Sequence, residues 1–587
     1  MGAGETVTQI NSLVKKVLKN VTITDILEAI NKKYGNRPAL RINMEDGSSR
    51  QITFVKLGRK VIGVSSALIN LGIEKNDRVA ILSENRPEWA IAFFGIISCA
   101  ATVVPIDIKL SDKEIRFILD DTQTKCVFVS KKYIGVIDNL RSDLPHIERV
   151  ILLDENGRED VISLKGLKKH RGKERGRPIS TEDTALIVYT SGTTGIAKGV
   201  EISCKNLLFQ VMTFSKMIHC GTRDRFLSIL PLNHMLEMTG GLIVPLYGGS
   251  CVTYCDSLKP TTLLPLMRKC RTTAMICVPL VLKMLHGGIM KKADKLSPSR
   301  QKVFKTFLSI SRFLLKFEIR IGKLLFRPVH EEFGGRLRGF VSGGAPLDVD
   351  IEVDLNAMGF RVLQGYGLTE TAPVISVNTY RMTKFGSVGR PLPGVDVRII
   401  KESNAALEGE ILTRGPHVMK GYFRNLEETR AVMKDGWFST GDLGYFDKNG
   451  FLHISGRLKN LIALGTGKKV FPEEVEAVIG KSPYIKEMSV LGRIATRGLR
   501  EGHEEVFAVI VPEHELFEES ERTDKQKMRD RISSEIARLS KSLAVHKRIM
   551  DFDIWEEELP KTVTRKIKRK VLVDMINEKR GTDTIFV

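Results

Sequence analysis

The sequence predicts an α/β protein with a large N-terminal domain of two helix-covered, mostly parallel sheets, a β-barrel-like module and a small C-terminal α+β domain. Between residues 50 and 380, apolar runs such as RVAILSE (78–84) and ALIVYT (185–190) alternate with helix-like runs. This alternation is typical of parallel strands joined by crossover helices. Between residues 385 and 455 the segments become short, turn-rich and strand-like, which indicates the antiparallel or barrel-like module.

The length and the C-terminal pattern predict the domain boundaries. At 587 residues the chain is too long for one compact core, because chains beyond roughly 250–300 residues divide into domains. After Gly456 the chain becomes more charged, with strand-like runs at 487–493 and 505–512 and a polar helical run near 524–541. We therefore expect a large domain over residues 1–455 and a separate small domain over residues 460–587.

Charge and cysteine usage restrict the partners and the compartment. Lys and Arg number 91 against 69 Asp and Glu, a net charge of +22, which favours nucleotides, phospholipid surfaces or nucleic acid. No nucleic-acid recognition module is present in the sequence, so no nucleic-acid partner is predicted. The eight cysteines form no paired CxxC motif, which argues against a zinc site and predicts a reduced, cytoplasmic protein.

Three apolar segments raise the question of membranes. No secretory signal is visible, and the run from Trp89 to Ile106 is interrupted by Gly95 and Pro105, so a buried helix followed by a buried strand is favoured over a membrane span. Residues 1–20 predict an amphipathic helix that either docks on its own domain or lies at an interface.

The segment 300–328 is basic and amphipathic. It interleaves bulky apolar side chains with cations, and Glu318 is its only acid. Such a helix can lie on an anionic membrane, which predicts a peripherally membrane-associated protein. The alternative is a helix whose apolar face packs on the core while its lysines are solvated. The cations on which the prediction rests are Lys302, Lys305, Arg312, Lys316, Arg320, Lys323 and Arg327.

A loop rich in small hydrogen-bond donors follows the run ALIVYT. Residues 189–199 read YTSGTTGIAKG, in which the glycines permit sharp turns and backbone N–H groups and hydroxyls can surround phosphate oxygens. Lys198 adds a positive charge. The Walker A pattern does not fit, because Lys198 is followed by Gly199. Phosphate binding is indicated, but ordinary P-loop chemistry is not.

Three further clusters carry groups suited to a nucleotide. QGYGLTET (364–371) places Tyr366 between glycines, where it can lie flat against a base, and Glu370 between hydroxyls, where it can bind Mg²⁺ beside phosphates. It is preceded by the glycine-rich SGGAP (342–346). STGDLG (439–444) holds an Asp that can accept hydrogen bonds from ribose, and LPKTVTRKIKR (559–569) is a basic run.

These clusters, in this order and spacing, resemble the adenylate-forming (AMP-binding) superfamily over residues 24–572. PLNHMLE (231–237), DGWFSTGD (435–442) and GRLKNLI (456–462) are most similar to the long-chain fatty acyl-CoA synthetases. The resemblance implies an acid–thiol ligase that uses ATP, Mg²⁺ and coenzyme A to activate a fatty acid through an acyl-adenylate, and then makes the thioester. The alternative is a ligase that loads a phosphopantetheine carrier protein instead of CoA.

The resemblance also implies roles for individual residues. Glu370 would bind Mg²⁺, Thr369 would contact the α-phosphate, His234 would border the acyl tunnel unless it is a packed core histidine, and Lys566 would enter the site during adenylation. Residues 456–459 would form the hinge of a mobile C-terminal domain, with Lys459 as the pivot. The implied nucleotide-binding residues are Thr190, Ser191, Gly192, Thr193, Thr194, Gly195, Lys198, Gly343, Gly344, Ala345, Gly365, Tyr366, Gly367, Asp442 and Arg457, and the implied CoA-proximal residues are Gly465, Gly467 and Lys468.

One position departs from the family pattern. The residue before Lys566 is usually Gly in the superfamily, and here it is Arg565. Because Gly provides backbone freedom, the geometry of this loop is expected to differ. Chain-length preference and the choice between monomer and homodimer do not follow from the sequence.

Overall fold

The computed structural model describes most of the chain and divides it into two compact units. Unit 1 comprises residues 1–397 and 413–438, and unit 2 comprises residues 398–412 and 439–587. The predicted boundaries at 1–455, 456–459 and 460–587 stay predictions. The described residues are 21–43, 48–154, 158, 161–170, 172, 174, 176–190, 197–255, 257–403, 406–464, 468–495, 502–522, 524–561 and 567–580.

Unit 1 contains the α/β sheets that the alternating pattern predicts. In chain order its first strands are β1 (Pro38–Asn43), β2 (Ser49–Thr53), β3 (Arg78–Leu82), β4 (Thr102–Ile106), β5 (Cys126–Val129), β6 (Arg149–Leu152), β7 (Ile162–Ser163), β8 (Thr184–Thr190), β9 (Lys198–Ser203), β10 (Arg225–Ser228), β11 (Cys251–Tyr254), β12 (Ala274–Cys277), β13 (Gly339–Ser342), β14 (Arg361–Tyr366), β15 (Ser376–Val377) and β16 (Arg390–Pro391).

The remaining strands belong to shorter, turn-rich stretches and to unit 2. They are β17 (Asp396–Ile400), β18 (Gly409–Arg414), β19 (Gly421–Tyr422), β20 (Met433–Lys434), β21 (Trp437–Phe446), β22 (Leu452–Arg457), β23 (Ile462–Ala463), β24 (Lys469–Val470), β25 (Ile485–Ile494), β26 (Glu504–Pro512) and β27 (Asp551–Ile554).

The described α-helices follow in the same manner. They are α1 (Ile23–Tyr34), α2 (Phe54–Asn70), α3 (Pro87–Ser98), α4 (Asp112–Asp121), α5 (Ile134–Arg141), α6 (Cys204–Met217), α7 (Val244–Tyr247), α8 (Pro260–Cys270), α9 (Pro279–Asp294), α10 (Pro298–Leu315), α11 (Gly322–Leu325), α12 (Arg327–Glu332), α13 (Val349–Ala357), α14 (Leu426–Val432), α15 (Pro472–Ile479), α16 (Glu519–Arg522), α17 (Lys525–Leu539) and α18 (Arg569–Arg580). A π-helix spans Glu237–Ile243.

Two large sheets, both mostly parallel, form the core of unit 1. The nine-stranded sheet has the order β16-β15-β14-β13-β12-β10-β11-β1-β2, and the eight-stranded sheet has the order β19-β9-β8-β4-β3-β5-β6-β7. Pairs such as β3–β4 and β13–β14 are parallel. Because parallel strands require crossovers, helices cover these sheets. The predicted α/β class with two mostly parallel sheets is confirmed.

The apolar run from Trp89 to Ile106 is a buried crossover. It forms α3, in which every residue is buried, followed by β4, in which every residue is buried. Pro87 at the start of α3 suits the first helical turn, where an N–H would have no partner. The prediction of a buried helix and strand is therefore confirmed. Among the described residues, none of the helices combines the length and apolarity that a membrane crossing requires.

The turn-rich region after residue 385 forms the predicted antiparallel module. Strands β17, β18, β20, β21 and β22 belong to one five-stranded sheet, in which β20 and β22 both pair antiparallel with β21.

The C-terminal residues of unit 2 form a small α+β fold. β25 pairs antiparallel with β26, and β26 pairs in parallel with β27. The predicted strands at 487–493 and 505–512 are β25 and β26, and the predicted polar helix is α17. Apolar side chains of α15 and α17, including Val475, Ile479 and Ile532, pack together in one buried cluster with those of the sheet. The predicted α+β character is thus confirmed.

Candidate active site

Two neighbouring parallel strands of unit 1 end side by side and bring two of the predicted loops together. β13 and β14 pair in register, with Ser342 opposite Gln364. The loop 343–345 follows β13, and residues 365–367 span the end of β14, so both lie at the carboxyl edge of the nine-stranded sheet. In open α/β sheets this edge is where ligands bind. Gly343 is buried, whereas Gly344 and Ala345 are exposed.

The glycines of these two loops have different reasons to lack a side chain. Gly344 has φ +87°, which favours glycine. Gly367 has no room for a Cβ, because that atom would lie 1.8 Å from the carbonyl oxygen of Pro373. Gly365 is close-packed, since its Cβ would meet the carbonyl oxygen of Ser376 at 3.3 Å. The backbone around the half-buried Tyr366 is thereby held in one path.

Glu370 lies on the turn that follows β14, in a 3₁₀ segment Thr369–Thr371. Tyr422 donates a hydrogen bond from its hydroxyl to Glu370 Oε1 at 3.1 Å. The turn itself is fixed because Thr371 Oγ1 accepts a hydrogen bond from the N–H of Leu368 at 2.9 Å, and Gln210 donates to the Thr371 carbonyl at 3.0 Å. Tyr422 therefore orients the carboxylate that the sequence predicts as the Mg²⁺ ligand.

Lys198 lies at the end of the predicted phosphate loop. It is the first residue of β9 and stands opposite Thr190, the last residue of β8. Its Nζ lies 2.6 Å from Glu428 Oε2 and 5.4 Å from the centroid of the Tyr422 ring. The same tyrosine thus contacts both the cation of the phosphate loop and, through its hydroxyl, the carboxylate of Glu370.

The base of this hairpin is anchored on both sides. Tyr189, next to Thr190, donates a hydrogen bond from its hydroxyl to the Asp121 carboxylate, and burial together with that carboxylate raises the pKa of the phenol. On the other strand, the N–H of Phe423 donates to the carbonyl of Gly199 at 2.7 Å. β19 pairs antiparallel with β9, which is what places Tyr422 beside Lys198.

His234 occupies a separate loop of unit 1, just before the π-helix. Its Nε2 lies 3.6 Å from Asp107 Oδ2, and its side chain is 32% exposed. Asn85 fixes the loop by donating to the carbonyl of Leu230 at 2.6 Å and accepting from the N–H of Leu232 at 2.9 Å. An exposure of one third does not fit a fully packed core histidine, and the predicted position beside an acyl tunnel stays a prediction.

The π-helix carries a buried acid next to this loop. Glu237 is fully buried, and desolvation raises its pKa to about 8, although the Ser228 hydroxyl and the Leu230 N–H lower it in part. A Cβ on Gly241 would lie 2.2 Å from Glu237 Oε1, so the carboxyl group occupies the space that a side chain at position 241 would take. Burial therefore favours the neutral, protonated form of Glu237.

The predicted ribose-binding pair lies in unit 2. Asp442 on β21 stands opposite Arg457 on β22, and Arg457 Nε lies 2.6 Å from Asp442 Oδ1. Asp442 is 5% exposed, and its N–H donates to Thr440 Oγ1 at 3.1 Å. The two predicted partners are thus in direct contact. Lys459 lies on the next turn, in the 3₁₀ segment Leu458–Asn460, and it is exposed, as is Lys468.

Part of the predicted site lies outside the described residues. This holds for the tip of the phosphate loop, two of the CoA-proximal glycines, the adenylation lysine and its neighbour, and the N-terminal amphipathic segment. These positions are Ser191, Gly192, Thr193, Thr194, Gly195, Gly465, Gly467, Arg565, Lys566 and residues 1–20.

Glu370 suits a metal that arrives with the nucleotide. Among the described residues no group of three His, Cys, Asp or Glu side chains could hold a metal ion. Mg²⁺ keeps several waters and is commonly held by one or two carboxylates plus substrate phosphates. A single oriented carboxylate, such as Glu370 beside Tyr422, fits that mode of binding.

Sequence reasoning missed Tyr422 and Glu428. They come from GYFRNLEET (421–429), which has no glycine-rich or charged pattern of its own. The one available signal is Gly421 next to an aromatic residue, followed by the acidic first turn of α14.

Comparison with known proteins places these features in a family. Residues 27–423 match the AMP-binding enzymes, and residues 459–579 match the AMP-binding enzyme C-terminal domain. The chain is 29% identical over 466 residues to the long-chain-fatty-acid–CoA ligase FadD15 of Mycobacterium tuberculosis, covering 76% of each chain. It is 26% identical over 591 residues to the long-chain-fatty-acid–[acyl-carrier-protein] ligase AEE15 of Arabidopsis thaliana, covering 87% of this chain and 78% of AEE15.

Solved structures show the same fold. ATP-bound MatB from Rhodopseudomonas palustris superposes with a TM-score of 0.76 at 25% identity, covering 96% of this chain and all of MatB. The o-succinylbenzoate CoA synthetase MenE from Bacillus subtilis, in complex with its acyl-adenylate intermediate, gives a TM-score of 0.71 at 25% identity, covering 93% of this chain and 97% of MenE.

Proposed function

The chain belongs to the AMP-binding enzyme family and has its adenylate-forming fold, and from this premise we propose that it is a long-chain fatty acid–CoA ligase. The overall reaction joins a fatty acid to coenzyme A and converts ATP to AMP and pyrophosphate. The assignment of a fatty acid as the substrate rests on the relatives, one of which, FadD15, is named as a long-chain-fatty-acid–CoA ligase.

The observation that carries the proposal is the linked group Lys198, Tyr422 and Glu370. A cation and an oriented carboxylate share one tyrosine, and the carboxylate lies on the turn that follows β14. A nucleotide triphosphate needs both kinds of group, a cation for its phosphate oxygens and a carboxylate for its metal.

In the first half-reaction a carboxylate oxygen of the fatty acid attacks the α-phosphorus of ATP. The new bond is P–O–acyl, the bond between the α-phosphorus and the bridging oxygen breaks, and pyrophosphate leaves. Lys198 and Lys566 would stabilise the charge that develops on the phosphate oxygens. Mg²⁺ held by Glu370 would neutralise phosphate charge when bound. No protein nucleophile is needed, so positioning supplies much of the acceleration.

The resemblance gives each part of the nucleoside its own residues. Tyr366 would stack on adenine with Gly343, Gly344 and Ala345 along its edge, and Asp442 would accept from the ribose hydroxyls with Arg457 assisting. The Asp442–Arg457 pair supports this role, because an arginine that contacts the carboxylate orients it.

In the second half-reaction the CoA thiolate attacks the acyl carbonyl, and the carbonyl–phosphate oxygen bond breaks to release AMP. We propose that the small domain moves about residues 456–459, with Lys459 as the pivot, so that Lys566 leaves and Gly465, Gly467 and Lys468 approach the pantetheine arm. Such a change of conformation between half-reactions also limits the exposure of the reactive adenylate to water.

A second acceptor is possible in chemical terms. AEE15 is named as a ligase for acyl-carrier protein, and it covers a larger share of this chain than FadD15 does. A carrier presents the same phosphopantetheine thiol as CoA.

A cytoplasmic location, contact with an anionic membrane through residues 300–328 and the choice between monomer and homodimer also stay proposals.

The test is a product analysis with palmitate. The purified protein is incubated with ATP, Mg²⁺ and palmitate, with and without CoA, and pyrophosphate, AMP and thioester are measured. CoA-dependent palmitoyl-CoA together with AMP supports the proposal. Pyrophosphate with retained acyl-AMP and no thioester favours a carrier protein. If neither pyrophosphate nor a thioester forms with any acid in a panel of fatty acids, the proposal is contradicted.

A further inference from the structure

Helix α10 presents apolar side chains to solvent as well as to the core. Its inner face is fixed, because Leu308 and Leu315 are buried, the Ser311 hydroxyl donates to the carbonyl of Ala357 at 2.6 Å, and Arg312 Nε lies 2.5 Å from Asp354 Oδ1. Both of those partners belong to α13. These contacts fix the rotation of α10 about its axis, so its outer face cannot turn inward.

The outer face is an apolar stripe. Val303, Ile310, Phe313 and Phe317 recur at intervals of seven, three and four residues, which places them along one side of a helix that continues to its C-terminal turn. All four are exposed, Phe317 at 62%, and the rings of Phe313 and Phe317 lie 5.3 Å apart. Scattered exposed apolar residues are ordinary, but a contiguous stripe with paired aromatic rings marks an interaction surface. Leu324, on the short helix α11, is 79% exposed as well.

Lysines flank the stripe. Lys302, Lys305, Lys316 and Lys323 are exposed, and the structure gives them no ion pair with a described residue. The acids of the neighbouring helix α12 are already engaged: Glu331 pairs with Arg327 at 3.0 Å and Glu332 with Lys292 at 2.6 Å. In the described part of this surface, positive charge is therefore in excess.

We propose that the apolar stripe of Val303, Ile310, Phe313 and Phe317, together with Leu324 of α11 and the four lysines, docks on the interface of an anionic lipid bilayer. The apolar side chains would enter the boundary between headgroups and acyl chains while the lysines contact lipid phosphates. Because α10 packs on α13, only its outer face is available to the bilayer, and this fixes the orientation of the protein on the membrane. The surface does not depend on the identity of the acid substrate.

Charge argues against a second copy of the chain as the occupant. A two-fold contact through this stripe would bring each set of lysines against the same set on the partner, and these lysines outnumber Glu318, the one acid of residues 300–328. An anionic bilayer instead attracts each lysine near its surface with about 1 kcal/mol, which is about fivefold in affinity per lysine.

Vesicle sedimentation of the full chain tests the surface. Binding is measured to phosphatidylcholine vesicles with and without phosphatidylglycerol, for the wild type, Phe313→Ser/Phe317→Ser and Lys305→Glu/Lys316→Glu. The matched control is Lys131→Glu/Lys132→Glu, which changes the net charge equally at two exposed lysines elsewhere. We expect binding that requires phosphatidylglycerol, a loss of about 25-fold or more for the α10 charge variant, a comparable loss for the phenylalanine variant, and little change in the control.

Three results would overturn the proposal. One is the absence of binding to phosphatidylglycerol vesicles. Another is an equal loss in the control, which would assign the binding to net charge alone. The third is a change from dimer to monomer in the phenylalanine variant with vesicle binding intact, which would make a second copy the occupant. Thermal unfolding and vesicle-free AMP formation of each variant verify that it is folded, and they keep a failure of the membrane surface distinct from a failure of the proposed reaction.

Discussion

Tyr422 donates its hydroxyl to Glu370 Oε1 at 3.1 Å while the ammonium of Lys198 lies 5.4 Å from the centre of the same ring. The pairing of β19 with β9 creates this relationship, because it carries Tyr422 to the end of the phosphate loop. One side chain therefore positions both groups that the proposed reaction needs at the ATP phosphates.

Removing the Tyr422 hydroxyl should disturb the metal carboxylate while leaving the ring beneath Lys198. Tyr422→Phe is expected to lower kcat/KM for ATP by about tenfold or more, since a hydrogen bond to a charged group contributes about 1.5–3 kcal/mol. The Mg²⁺ concentration at half-maximal pyrophosphate release should rise as well. Tyr445→Phe, a tyrosine that stacks on His453 in unit 2, is the control. An unchanged Mg²⁺ dependence in Tyr422→Phe would refute the positioning role.

Gly367 should be intolerant of a side chain. In Gly367→Ala the added Cβ would meet the Pro373 carbonyl oxygen at 1.8 Å, so the backbone beside Tyr366 must shift and ATP binding should weaken by about tenfold or more. Fluorescent ATP-analogue binding measures the effect. Gly135→Ala on α5, where a Cβ meets nothing within 4 Å, should bind as the wild type does. Equal binding by both variants would mean that this loop does not contact the nucleotide.

Lys566→Ala should separate the two half-reactions. The cation is expected to act only while ATP is converted to the adenylate, so acyl-AMP formation should fall by about a hundredfold or more, whereas thioester formation from supplied acyl-AMP should be nearly unchanged. Single-turnover assays of each half-reaction give the two rates. If both rates fall equally, the lysine has no special role in adenylation.

Glu237 should make stability depend on pH. Its pKa is raised to about 8 in the folded protein from the ordinary value of 4.5. Between these two pH values the folded protein therefore retains a proton that the unfolded chain has already released. The contribution of Glu237 to the free energy of unfolding is therefore highest below pH 4.5 and falls as the pH rises toward 8. Glu237→Gln stays neutral and should be more stable than the wild type at pH 8, with a smaller difference at pH 6. Urea unfolding at both pH values checks this, and a pH-independent difference would contradict it.

The sequence predicts the sheets and the loops better than it predicts the contacts between distant segments. Glu370 and Lys198 are recognisable because each lies in a motif of small residues. Tyr422 was not predicted because β19 is two residues long, too short for any periodicity, and its pairing with β9 joins segments far apart in the chain. Glu428 was missed because its partner Lys198 is equally distant in the sequence. The π-helix at Glu237–Ile243 also has no separate sequence signal.

The basic segment illustrates a different limit. Composition predicts an amphipathic helix over residues 300–328, but α10 is apolar on both faces, with Leu308 and Leu315 inside and Phe313 and Phe317 outside. Which face the core covers depends on where α13 lies, and that position follows from tertiary packing. One apolar face packs on the core while the lysines are exposed, as in the second alternative offered by the sequence, and contact of the other face with a membrane stays a proposal.

The most direct test of an acyl-adenylate pathway follows oxygen. Palmitate labelled with ¹⁸O in its carboxylate is converted with ATP, Mg²⁺ and CoA, and the AMP product is analysed by mass spectrometry. If the carboxylate attacks the α-phosphorus, one labelled oxygen stays on phosphorus when CoA displaces AMP, and AMP carries one ¹⁸O. Unlabelled AMP formed together with palmitoyl-CoA, or ADP in place of AMP, would contradict the proposed reaction.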